Sequence, residues 1–201
     1  MNNCAQLLSA LLFVLATSSA AQTLPEGLFT IAKFELGKAT ISDVQAHFGP
    51  STLRPLEPGD GPDRAVCYSN RRTASAPTVI FETGALGGWK EITAYRLTTR
   101  HRRQCDATAV SIVDLSTGNG LQLFAAKKTA LQAINKPATA SSAKVRVEQV
   151  YQRKATPDEA TRIRLADPGA TQLAFDVVDA VEVRFKGSVV DDLYVKRLVS
   201  Y

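Results

Sequence analysis

The first 22 residues, MNNCAQLLSALLFVLATSSAAQ, contain no acidic or basic side chain, and every later apolar run is broken by a charge long before the roughly 20 residues needed to span a bilayer. An apolar stretch from Leu7 to Ala16 passes into the small residues Thr17 to Ala21, and Ser19-Ala20-Ala21 fits a signal-peptidase site. Residues 1–21 are therefore expected to be a signal peptide cleaved after Ala21, leaving an exported protein, periplasmic or secreted, with no transmembrane segment. Cys4 precedes the apolar stretch, whereas a lipidated cysteine would follow the cleavage motif, so Cys4 is expected to leave with the leader.

Cysteine and histidine are also scarce, at three and two residues. Cleavage leaves Cys67 and Cys105 in an oxidising compartment, and a disulfide between them is the expected pairing. No CxxC spacing points to zinc or a thioredoxin-like redox centre. The GxSxG, HExxH and GxxxxGK[ST] signatures are missing as well. His47 lies among the residues of a short helix, and His101 sits in the run Arg100-His101-Arg102-Arg103, where like charge disfavours its protonation and no carboxylate orients it. Glu57, Asp60 and Asp63 lack the spacing of a calcium loop. The expectation is a protein with no catalytic residues, no metal and no cofactor.

What the chain does contain is punctuation. In LGKATISDVQAHFGP, from Leu36 to Pro50, Ile41, Val44 and Phe48 share one helical face, Thr40 is a candidate N-cap, and Gly49-Pro50 stops the helix. LFAAKKTALQAINKP, from Leu123 to Pro137, follows the same plan 87 residues later, with Asn135 as the terminator. Each is followed by strand-like alternation: 65–69, 78–83 and 91–99 after the first, and 144–153, 180–186 and 189–198 after the second, with Gly187-Ser188 as a hairpin turn. Thr156-Pro157-Asp158-Glu159 reads as a further helix start, closed by Pro168-Gly169. Residues 105–119 read as loop. The expected fold class is α+β: two tandem repeats over 22–105 and 106–201, each a short helical segment followed by an antiparallel β-meander.

The net charge of +5 is moderate, and its densest part is Arg96, Arg100, Arg102 and Arg103, with Arg71 and Arg72 in another loop of the same half. Guanidinium forks grip carboxylates and phosphates, so these six are the candidate contacts for an anionic envelope component. No aromatic ladder runs among them, which argues against nucleic acid. Asp176, Asp179, Asp191, Asp192, Asp158 and Glu159 are expected to be solvated surface carboxylates; adjacent strand residues Asp191 and Asp192 point to opposite faces and so cannot share a proton.

With DVQAHFGP and LQAINKP each leading into a meander, the layout resembles the β-lactamase inhibitory protein architecture, and its unit is similar to the small lipoprotein of the outer-membrane β-barrel assembly machinery. The resemblance implies that the two sheets join edge to edge into one curved sheet. Tyr68, Trp89, Tyr95, Tyr151 and Tyr194 are then candidate contacts on a concave face that anchors another envelope or extracellular protein. The expected function is that of an exported, non-enzymatic protein-binding or envelope-associated module. The alternatives are an envelope hydrolase using paired carboxylates and an anion-binding protein using the arginines.

Overall fold

In the computed structural model, which describes residues 25–55, 64–70, 76–84, 87–100, 105–136, 145–166, 168–169, 171 and 174–200, helix α1 (Ile41–Phe48) begins where the spacing predicts. The Thr40 side chain accepts from the Asp43 N–H while the Asp43 carboxylate accepts from the Thr40 N–H at 2.8 Å, a reciprocal capping box. Gly49 ends the helix, its N–H donating to the Gln45 carbonyl. Helix α2 (Lys127–Ala133) has no side-chain cap, and Asn135 terminates it in the left-handed region, at φ 55°. Helix α3 (Pro157–Ala166) opens on a second reciprocal cap, between Thr156 and Glu159. The expected leader, residues 1–21, lies outside the described residues.

The described strands, in chain order, are β1 (Thr30–Ile31), β2 (Phe34–Glu35), β3 (Arg54–Pro55), β4 (Arg64–Ser69), β5 (Thr78–Thr83), β6 (Ala94–Thr98), β7 (Asp106–Ala107), β8 (Arg146–Lys154), β9 (Asp176–Lys186) and β10 (Val189–Ser200). β1 and β2 form a small hairpin, and the other eight form one sheet in the order β3-β4-β5-β6-β10-β9-β8, with β7 beside β4. β4-β5-β6 and β8-β9-β10 are antiparallel meanders, and β6 pairs antiparallel with β10, placing Leu97 opposite Leu193 and Tyr95 opposite Val195.

The expected α+β layout of two tandem repeats is corrected by this architecture. The protein is mostly β, with one large sheet and three small helices among the described residues. α3 is inserted between β8 and β9. The physical reason lies in the burial. α1 contributes only Ile41, Val44 and Phe48 to the core, and α2 only Ala130 and Leu131. The small β1-β2 hairpin and irregular chain pack on the sheet as well, through the buried Leu28, Phe29, Ile31, Phe34 and Leu36 of the N-terminal segment and Ile112, Leu115, Leu121 and Leu123 of the segment after Cys105. One apolar cluster joins these to Val66, Phe81, Tyr95, Val181 and Leu193 of the sheet.

The segment after Cys105, which reads as loop, can be buried because its backbone groups find partners. The Asn70 side chain donates to the carbonyls of Thr108 and Val110 and accepts from the Ile112 N–H at 2.7 Å. Gly27 and Gly118 bring the two covering segments together: a Cβ on Gly27, at φ 75°, would stand 2.6 Å from the Gly118 carbonyl carbon. Any side chain there would force the N-terminal segment away from the sheet. No helix among the described residues is long and apolar enough to cross a membrane.

Candidate functional site

Alternation along β10 puts Leu193, Val195, Arg197 and Val199 on the core face, so one arginine occupies an apolar register. Its Cα partner on β9 is Asp179, on the register of Val177, Val181 and Val183. Asp179 is 0% exposed. Arg197 Nε donates to Asp179 Oδ1 at 2.7 Å and its Nη1 to the Leu36 carbonyl at 2.8 Å, so one guanidinium ties the sheet to the N-terminal segment. Arg153 of β8 approaches Asp179 at 3.7 Å and grips both carboxylate oxygens of Glu159, at 2.6 and 2.7 Å. Arg162 of α3 donates to the Gly37 carbonyl and, at 3.1 Å, to Glu91 Oε2.

These groups wall a half-open cleft between α3 and the sheet, about 450 Å³ including its mouth. Ile163, Val177 and Val199 supply apolar walls, Gly37 and Gly87 supply walls without side chains, and Glu91, Glu159, Arg162 and Arg197 supply two charges of each sign. The lining offers apolar walls with a few polar groups, as a site for one apolar side chain needs. The same arrangement keeps the Glu159 carboxylate ionised. The Arg153 hydrogen bonds and the Thr156 N–H hold the Glu159 carboxyl down at about 2, against the burial that raises it.

A depressed carboxyl contributes stability above its unfolded value of about 4.5, and the contribution disappears as pH falls toward 2. The expected result is that the thermal midpoint of the wild-type protein falls between pH 5 and pH 2 more steeply than that of Glu159→Gln, with calorimetry across that window as the measurement. Parallel curves would mean that Glu159 is not held in this state.

Of the six expected anion-contact residues, Arg96 and Arg100 fall within the described residues. Arg71, Arg72, Arg102 and Arg103 lie outside the described residues. Arg96 is held bidentately by Asp192, at 2.8 and 2.7 Å, and its guanidinium lies 5.4 Å from the Tyr194 ring centroid; Arg100 Nε donates to Asp191 at 2.6 Å. Both guanidiniums thus already carry a carboxylate, which raises their pKa further. The expectation that these aspartates are solvated is corrected for three of them: Asp179, Asp191 and Asp192 are 0, 4 and 2% exposed. A register shift between Val190 and Asp192 makes Asp191 the extra residue of a bulge, so it does not obey simple alternation.

The aromatic residues do not gather on one face. Tyr68, Tyr95 and Tyr151 are buried on the core face, their hydroxyls donating to the carbonyls of Gly49, Leu28 and Ile134 at 2.9, 2.7 and 3.0 Å. Burial pushes the Tyr68 and Tyr151 phenols up to about 12. Tyr194 lies on the opposite face and donates to Glu82, while Trp89, 41% exposed and at φ 61°, sits in the turn before β6. His47 is exposed on α1, edge-on to Phe34.

The expected Cys67–Cys105 disulfide is present. Sequence reading missed Glu91, Arg153, Arg162 and Arg197 as site residues. The available signal was a charge on an apolar register in two neighbouring strands, Asp179 in β9 and Arg197 in β10. Among the described residues, no cluster of side chains has the makings of a metal site. Compared with known proteins, the chain matches no family model, no curated sequence and no solved structure.

Proposed function

We propose that the protein is an exported, non-enzymatic binding module that receives an apolar side chain of a partner protein in the cleft between α3 and the sheet. The observation that carries this reading is the charge balance around apolar walls: Arg162 and Arg197 stand with Glu91 and Glu159 along the cleft. Such a rim offers polar contacts to a partner's backbone without repelling either sign, and the apolar walls take the anchor. Glu91 and Glu159 each accept from an arginine, which disfavours the hydrolase alternative. The ion pairs of Arg96 and Arg100 weigh in the same way against anion binding. Export is supported by the apolar stretch Leu7 to Ala16 leading into Ser19-Ala20-Ala21, and by the disulfide, a bond that persists in an oxidising compartment.

Val199→Phe fills the cleft with a larger apolar side chain. Cross-linked capture from envelope extract is expected to lose its main partner with this variant and to retain it with Tyr194→Phe, on the other face. A partner held equally by both variants would overturn the cleft as the docking site. Turnover in a hydrolase screen that Glu91→Gln abolishes would overturn the non-enzymatic reading.

A further inference from the structure

β10 outruns its neighbour on one side. β6 pairs with it from Thr98 to Ala94, and the Arg197 N–H still reaches the Thr93 carbonyl at 2.8 Å. Beyond that point the chain leaves the sheet: the Ile92 N–H donates to the Ala39 carbonyl and the Ile92 carbonyl accepts from the Gly37 N–H, both at 2.8 Å. In an antiparallel sheet each strand residue sends its N–H and C=O to one side, and the side alternates along the strand. Arg197 thus fixes where Val199 points, because the shift in register between β10 and β9 lies upstream, between Val190 and Asp192. The Val199 N–H and C=O face away from β9, into the line that β6 has given up, and no hydrogen bond among the described residues takes either group. Val199 is also a wall of the cleft beneath α3.

We infer that the partner presents its anchor on an extended segment that adds to the sheet antiparallel to β10, pairing with Val199 in the place β6 vacates. This rests on the cleft being the docking site and specifies the shape of what enters it. Three observations select a neutral main chain as the occupant. The charges around the cleft are matched within the protein, Glu91 by Arg162, Glu159 by Arg153 and Arg197 by Asp179, so no net charge is left to hold a charged headgroup, whereas a peptide group finds a donor and an acceptor at Val199. Gly37 and Gly87 line the cleft without side chains, which lets a backbone come close. Leu198, on the other face of β10, is 41% exposed, and the residue next to the anchor in such a segment covers it. An antiparallel pair gives both Val199 bonds to one opposing residue, whose side chain lies on the same face as that of Val199 and so enters the apolar part of the cleft, beside Ile163 and Val177.

Blocked neutral pentapeptides, acetyl-Ser-Val-X-Val-Ser-amide with X as valine, leucine, isoleucine or phenylalanine, are the probes, titrated into the purified protein and followed by NMR and amide exchange. In the free protein the Val199 amide should exchange faster than that of Leu198, which faces β9. At least one peptide is expected to bind, to slow exchange at Val199, and to lose about tenfold in affinity when X is N-methylated, the effect of one hydrogen bond. Methylating the valine after X, whose N–H points away from β10, should leave the affinity unchanged. A Val199 amide already protected in the free protein, a panel in which no peptide protects it, or equal tolerance of both methylations would each overturn the inference. Equal tolerance with binding still lost in Val199→Phe removes only the strand pairing and leaves the cleft as the docking site, whereas binding that survives Val199→Phe removes both.

Discussion

Asp179→Ala is expected to destabilise the protein by about 3–5 kcal/mol, a large share of the stability of an ordinary domain. The carboxylate is fully buried and accepts from Arg197 through two nitrogens, at 2.7 and 3.3 Å, with Arg153 at 3.7 Å. Alanine leaves the Arg197 guanidinium, itself largely buried between the sheet and the Phe29 ring, with only the Leu36 carbonyl and a distant Glu159, at 4.0 Å, to compensate it. The cost comes from stranding a charge rather than from losing an attraction. A second variant separates the two causes: Asp179→Leu with Arg197→Met removes both charges and is expected to recover part of the loss. Urea denaturation of the three proteins measures it. If the double variant is no more stable than the single one, the stranded-charge account fails, and the pair contributes through the Leu36 contact instead.

Removing the disulfide through Cys67→Ala and Cys105→Ala is expected to cost about 4 kcal/mol on the chain-entropy account, because the bond closes a separation of 38 residues. For a chain of this size the thermal midpoint should fall by about 10 °C. A structural effect comes on top of the entropic one. Cys105 leads directly into β7, whose two residues lie parallel to β4 at Tyr68 and Ser69. So short a strand has little hold of its own. Asp106 accepts from Ser51 Oγ at 2.6 Å, and Asn70 holds the chain beyond it, so the segment from 105 to 112 is the part expected to loosen. Amide exchange should show protection lost there and on the outer side of β4 before any loss on β9. Uniform loss of protection over the whole sheet would mean that the bond acts only on the unfolded chain.

Local elements were largely legible. Thr40, Asp43 and Gly49 form α1's caps within the helix itself, so their meaning is carried by adjacent residues. The same holds for Thr156 with Glu159, and for the Gly187-Ser188 hairpin, where Gly187 takes φ 63°. β5 spans Thr78–Thr83, the stretch its alternation marks, and β9 shows Val181, Val183 and Phe185 inward as expected. β1, β2, β3 and β7 have two residues each, too few to display a period. The buried covering segments were illegible for a related reason. Ile112, Leu115, Leu121 and Leu123 pack without regular structure, and their backbone needs are met by distant groups such as Asn70.

The candidate site was less legible than the fold. Arg96 and Arg100 look like a free basic cluster in the chain because their carboxylate partners, Asp192 and Asp191, lie more than 90 residues away. Tyr68, Tyr95 and Tyr151 look like an interface set until their hydroxyls are seen bonded to carbonyls inside the core.

By itself the sequence determined what near neighbours decide: helix caps, hairpin turns and strand alternation. Tertiary structure alone decided which face each meander shares, that β6 meets β10 in a single sheet, and that irregular chain packs on it as well as helix. It also placed Arg197 against Asp179 and closed the charge network around the cleft. A cap or a turn is an equilibrium among a few consecutive residues, whereas an ion pair between buried strands exists only after the whole sheet has removed both groups from water.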